Sequence, residues 1–512
     1  MRRRAALAAL ASTALAGCAK PAEWQGGWVG AAHERGHRLK GGALPAAAVQ
    51  RRAAVLVVGA GIAGLAAARA FVRRGVDDVQ LLELEDTAGG NARAHAMAGI
   101  ACPLGAHYLP LPGPEAREVS EWLHEIGLLR HELGRTVADE RHLCHSPQER
   151  LFIDGAWADG VLPPAEPASP TLAQYRRFAA AVARAQALGF ALPSQRAPWT
   201  PAHAALDAVT FEAWLAREGF DDARLRWYLD YACRDDYGAG PGTVSAWAGL
   251  HYFASRHGFH APGDDTAERE PVFTWPEGNA WLTDKLSAPL AGQLHTGRTV
   301  LRVAEQRHGV EVLAWDEARA QAEAWSAGTV VLALPLFAAA RVLQDPPDTL
   351  RAAAAQPHAP WLVANLHLAR PLLDRPGAPP SWDNVPFGAR GLGYVDASHQ
   401  RLDPSPGPVV LTAYHALPAA ERGALLEQGW RHWAGRVVDD LAPTHPDLPG
   451  KVERIDLMRY GHAMAVPAPG WRGHPALAAL RAQRGRVRFA HADLAGYSVF
   501  EEAFSAGSAV AG

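Results

Sequence analysis

The residues most able to do chemistry follow an apolar run, Val55 to Val58, and read Gly59-Ala60-Gly61-Ile62-Ala63-Gly64 before an alanine-rich stretch of helical character. Between a strand and a helix this spacing holds a pyrophosphate. Gly59 permits the tight turn, Gly61 lets a diphosphate approach the backbone, and Gly64 lets helix and strand close on each other. Ala63 falls in the first helical turn, where free N–H groups and the helix dipole favour an anion. A second strand, VQLLELED, brings an acid about twenty residues on, able to accept hydrogen bonds from ribose hydroxyls. Strand alternation puts Glu83 and Glu85 on one face, so either fits that role. Six residues after Glu83 comes Gly89-Gly90, in EDTAGGNARAH, a stretch that also contains Arg93. On these residues alone a nicotinamide dinucleotide or a chance match stays open.

The elements that must position this grip are spread along the chain. The 512 residues suggest about three domain equivalents, and an apolar share of 48% is ample for buried cores. Thr299 to Val303 reads as a strand, followed by strands around Gly309 to Ala314 and Gly328 to Pro335. The last residues, VRFAHADLAGYSVFEEAFSAGSAVAG, give a short strand from Val487 to Ala490, then Asp493, then a helix from Phe500 to Val510 rich in small residues. This mixture predicts an α/β fold.

With a grip near the front and a strand–acid–helix unit at the end, the chain resembles the FAD-containing amine oxidase superfamily, which includes monoamine and polyamine oxidases and is related to the phytoene desaturases. The resemblance implies a discontinuous Rossmann-like FAD-binding domain, residues 53–112, 266–340 and 481–512, interleaved with an α+β substrate domain, residues 113–265 and 341–480. It assigns Glu83 to the ribose and Gly89, Gly90 and Arg93 to the loop that passes the flavin end. It has Val300 touching the adenine through its backbone, and Asp493 facing the ribityl and pyrophosphate region. Ser498, Val499 and Phe500 would lie near the flavin ring, at the N-terminus of a helix aimed at the pyrimidine. Glu502 stands where many members have glycine. No cysteine lies near the C-terminal flavin region, which implies noncovalent FAD.

Flavin accepts a hydride, so the protein need only hold the donor carbon over the ring and exclude water. The aromatic clusters YACRDDYG, SAWAGLHYF, TWPEGNAWL and RYGHAMAVPAPG supply candidates for that cavity. Trp275, Asn279, Tyr460 and His462 are the expected cavity residues, with Trp247, His251, Arg234 and Asp235 behind them. Plainer readings stand beside these: Trp247 and Tyr252 as core residues at helical spacing, Arg234 with Asp235 and Asp236 as an ion-pair network, and Gly278-Asn279 as a turn. Many amine oxidases carry a lysine a few residues after the equivalent of Pro335, where it assists reaction with oxygen. This chain has Arg341, which can hold water but does not give up its proton. Another electron acceptor therefore stays open. The leading expectation is amine oxidation, a polyamine included. The alternatives are desaturation of an apolar substrate and a flavoprotein that binds without catalysis.

A formal net charge of −3 gives no footprint for nucleic acid. Cys102, Cys144 and Cys233 are scattered and form no disulfide framework, and the histidines and cysteine of RHLCH find no second ligand group with zinc spacing, so no metal is expected. At the front, Arg2 to Arg4 precede an uncharged run from Ala5 to Ala16, short of the ~20 residues a spanning helix needs. Leu15-Ala16-Gly17-Cys18 resembles the lipobox of bacterial lipoproteins, which implies lipidation at Cys18 and a position on the periplasmic side of a membrane. Arg3-Arg4 also reads as a twin-arginine signal. Residues 19–52 are expected to form a partly docked tether, because Trp24 and Trp28 favour contact with the body.

Overall fold

The computed structural model describes residues 24–41, 43–256, 258–263, 271–401 and 407–512; the leader and Cys18 lie outside them. Val55 to Val58 sit at the centre of a seven-stranded sheet. Their strand, Ala47–Val58, runs parallel to Val79–Leu82 on one side and to Gln321–Leu332 on the other. Leu294–His295 and Val487–Phe489 add further parallel neighbours, and Gly309–Asp316 and Arg298–Gln306 finish the sheet as antiparallel strands. Runs that are apolar on both faces suit a parallel sheet covered on both sides. The helix Ile62–Arg73 covers one face, and its alanines leave room for the closing helix, Phe500–Ala509, to lie against it. Contact is close enough that a Cβ on Gly507 would stand 2.1 Å from the carbonyl oxygen of Ala63. Trp122, on the helix Arg117–Glu125, stacks on Phe500 and meets Phe504 at a tilt. That helix therefore packs with the nucleotide sheet, although the domain boundary expected at residue 113 assigns it to the other unit.

The second sheet has eight strands in the order Gln25–Trp28, Val452–Ala465, His358–Leu368, Val409–Ala416, Tyr394–Asp396, Asp383–Pro386, Glu149–Ile153 and Ala156–Asp159. One face packs on the helices Pro170–Gln186, Ala223–Tyr237 and Ala246–Ala254. Each of these starts at a side-chain cap: Ser169 accepts from the Leu172 N–H, Asp222 from the N–H groups of Arg224 and Leu225, and Ser245 from that of Ala248. Within the stretch expected as a partly docked tether, residues 24–41 lie against the body. Gln25–Trp28 pairs in parallel with Arg454–Leu457, the Trp28 ring lies under the Arg459 guanidinium, and a short helix, His33–His37, follows.

Candidate active site

One cavity of about 760 Å³ runs between the two sheets, and both the glycine-rich turn and the aromatic strands line it. At the turn, Gly61, Ile62 and Ala63 face it with no side chain capping the helix. A Cβ on Gly61 would meet nothing nearer than the Gly90 Cα at 3.8 Å, so the space beside it is open. A Cβ on Gly64 would stand 1.8 Å from the Gly59 carbonyl oxygen; Gly64 serves helix–strand packing and does not reach the cavity. Gly59 takes φ +98°, the left-handed region that favours glycine.

Glu83 is buried on the cavity wall, and its two oxygens accept from the N–H groups of Ala60 (2.7 Å) and Glu85 (3.0 Å). Burial pushes its carboxyl above the usual range, against the pull of those two N–H groups and of Arg93. Glu85 also reaches the wall, but its carboxylate accepts from the Ala32 N–H and lies 3.6 Å from Arg93. Of the two acids on this face, Glu83 is the one not engaged by the leading segment. A dinucleotide fits what is present: an open cradle at Gly61, an uncapped helix N-terminus and a buried acid at ribose distance along the chain.

Gly89, Gly90, Val300, Asp493, Ser498, Val499 and Phe500 line the same cavity. Asp493 is fully buried, and one oxygen accepts from the Leu336 N–H at 2.9 Å and from His358 at 3.2 Å. Burial raises its carboxyl, but His491 and His358 outweigh burial and hold it below the ordinary carboxylate range. Ser498 accepts from the Ala465 N–H. Glu502 turns away, bonding Tyr497 and the Ser194 N–H. Arg93 does not line the cavity as expected. Its guanidinium donates to the Gly90 and Gly30 carbonyls, which spans the glycine loop and the leading segment instead.

The end of the strand Val452–Ala465 brings Tyr460, Gly461, His462, Ala463 and Met464 to the cavity, and Tyr460, His462 and Met464 supply its larger side chains. Directly across, Trp361 pairs in register with Tyr460, and Tyr414 comes from the next strand. The Tyr460 and Tyr414 hydroxyls donate to the carbonyls of Leu104 and Gly105, which fixes both rings beside one backbone segment. His107 stacks on Tyr414 with centroids 4.3 Å apart. Burial lowers the His107 and His462 rings to about 4, with Arg422, His358 and Arg341 adding to the effect at His462. Both rings are neutral near pH 7.

Asn279 and Arg341 reach the wall, and Trp275 does not. The Trp275 indole donates to His142 and stacks on Trp281 at 4.8 Å, inside the apolar core. Gly278, at φ +62°, turns the chain between them, so Asn279 donates to the Tyr108 carbonyl and keeps its own oxygen buried and unpaired. Trp247 and His251 are core residues as well, and Arg234 pairs with Asp230. Asp235 and Asp236 do line the cavity, with Arg256 and Glu501. Asp236 is buried with one oxygen 2.9 Å from Arg256 and the other without a hydrogen-bond partner. Asp235, beside the Tyr108 hydroxyl, is pushed up to about 7 by burial and by Asp236. Glu501 is raised to about 7, chiefly by burial. Sequence reasoning missed Trp361, Tyr414 and Tyr108: the strands that carry the first two are buried along their whole length and show no alternation to mark an inner side.

Comparison with known proteins agrees with this geometry. AofH of Mycobacterium tuberculosis, named as a flavin-containing monoamine oxidase, is 28% identical over 302 residues, which span 57% of this chain and 59% of that one. A putrescine oxidase solved with putrescine shares the fold, with a TM-score of 0.67 at 19% identity over 90% of this chain and 98% of that one. Cyclohexylamine oxidase from Brevibacterium oxydans IH-35A gives 0.64 at 17% identity, with the same coverage. Residues 62–512 match the flavin containing amine oxidoreductases, the greater part of the chain. The protein belongs to that family, and its cofactor is FAD.

Proposed function

We propose that this chain oxidises the carbon–nitrogen bond of an amine that carries a second cationic group, and that Asp235 and Asp236 receive that group. The observation behind this reading is the pair of neighbouring carboxylates on the wall of the cavity that the nucleotide grip also lines, one of them with a buried, unpaired oxygen. Relatives named for monoamine, putrescine and cyclohexylamine oxidation support an amine as substrate. FAD, when bound, supplies the acceptor for a hydride from the carbon next to nitrogen. The chain's own residues do the rest. Trp361, Tyr414 and Tyr460 pack the apolar part of the substrate and keep water from the reacting carbon. Their faces also attract a cation on its way in. Arg256 neutralises one carboxylate, which leaves Asp235 and Glu501 to set the local sign. Neutral His462 and His107 place no competing cation nearby. The amine loses a hydride from carbon and a proton from nitrogen, and water then hydrolyses the imine.

The test is an anaerobic titration of the flavin band with monoamines and diamines of matched length. Diamines should bleach it at lower concentration, and Asp235→Asn with Asp236→Asn should remove that preference. A bound flavin that no amine bleaches would sink the reading. Readmitting air then reports the acceptor: prompt recovery with peroxide identifies oxygen despite Arg341. We propose further that lipid on Cys18 holds the protein at a membrane, which lipid labelling abolished by Cys18→Ala would support.

A further inference from the structure

The segment ahead of the family match takes part in the cavity. Ala32, His33, Gly36, His37 and Leu39 line it, on the same wall as Glu83 and Glu85. These residues precede position 62, where the match to the family begins, and they also precede the strand that carries the glycine-rich turn. Their placement is fixed by several independent ties. The Ala32 N–H donates to both oxygens of Glu85, at 3.2 and 3.1 Å. Arg35 donates to the Leu84 carbonyl at 2.9 Å and pairs with Asp86 at 2.8 Å. Arg38 pairs with Glu317 at 2.9 Å and lies over the Trp315 ring. The Gly30 carbonyl accepts from Arg93, whose other donor holds the Gly90 carbonyl of the glycine loop. His33 accepts from Arg459, on the strand that Gln25–Trp28 joins.

We infer that Gly30 to Gly41 is a strap over the adenosine end of FAD and a working part of the cofactor site. The acid at Glu83 marks where a ribose would be held, and the strap is tied to the two residues that follow it, Leu84 and Glu85. His33 and His37 supply ring faces and nitrogen atoms on the side of the cavity that the sheet leaves open. A cofactor enclosed in this way leaves only when the strap lets go, because Ala32 to Leu39 would otherwise stand in its exit. Glu85 then has a defined part: it holds the strap, and Glu83 is left for the ribose.

The inference rests on FAD as cofactor and is independent of the substrate, so its test reads flavin release and not turnover. Arg35→Ala combined with Arg38→Ala removes two ties without touching the cavity wall. A second variant lacks residues 24–41 altogether. Holoprotein of each is diluted and the rise of free flavin fluorescence followed. Losing two partly exposed ion pairs and a backbone bond should speed release by about tenfold in the double variant, and more in the deletion. Arg35→Lys with Arg38→Lys should restore part of the slow release. Release at the wild-type rate from either the double variant or the deletion, with far-ultraviolet circular dichroism unchanged, would overturn the strap.

Discussion

Two glycines of one motif have opposite fates, and this makes a sharp residue-scale prediction. Gly61→Val should leave the fold nearly as stable, within about 1 kcal/mol, because the new side chain enters open space beside Gly90. It should abolish FAD retention, read as absorbance of the purified protein; a fully flavin-loaded variant would contradict the cradle. Gly64→Ala meets the Gly59 carbonyl and should cost about 2 to 3 kcal/mol by denaturant unfolding. Asp235 gives a second test. Its carboxyl titrates near 7 in the folded chain, so its charge is present above that pH and lost below it. Diamine affinity should fall as pH drops from 8 to 6, and Asp235→Asn should flatten that profile. The sign for stability is opposite: a raised carboxyl pKa penalises folding progressively above the unfolded value and in full above about 7. Asp235→Asn should therefore raise the melting temperature more at pH 8 than at pH 5. The glycine grip was legible in the sequence because turn, approach and packing are all local demands. Trp275 and Asn279 were not separable there, since what divides them is the Gly278 turn against Pro103 and Ala106, residues far away along the chain.

Among the elements, the short turn Ala492–Ala495, between the last strand and the closing helix, ties several pieces together. Asp493 joins three pieces by holding the Leu336 N–H, His358 and its own neighbour His491. Asp493→Asn leaves His358 without its buried carboxylate, and should cost about 3 kcal/mol in a urea titration. The cluster RYGHAMAVPAPG pointed to Tyr460 and His462 as cavity residues, and both line it. Trp361 and Tyr414 needed more than periodicity: they join Tyr460 only through pairing between strands far apart in the chain. Both of their strands are buried on both faces, which removes the polar alternation that would have marked an inner side.

At the scale of the whole molecule, the cavity is a seam between two sheets and has walls from each. Binding that occurs only in the folded state adds stability by mass action, about 4 kcal/mol at a thousandfold excess over Kd. Stripping FAD should then lower the melting temperature and broaden or split the transition as the two sheets lose their common filling; an unchanged single transition would argue against a shared site. The α/β class and the FAD parts were readable from motifs; for residues 24–41 the two tryptophans pointed to contact with the body, but nothing in the composition pointed to the cofactor cavity. The strap and the closing helix together have a consequence for how the protein is made. Residues 32 to 39 meet the cofactor cavity from one side and residues 498 to 503 from another, so a chain still emerging from the ribosome displays its grip long before it owns a closed vessel. Flavin capture belongs after synthesis ends. If the leader of the chain does direct export, a route that threads extended polypeptide would deliver an empty protein, dependent on flavin at its destination, while one that moves folded cargo would deliver it already loaded.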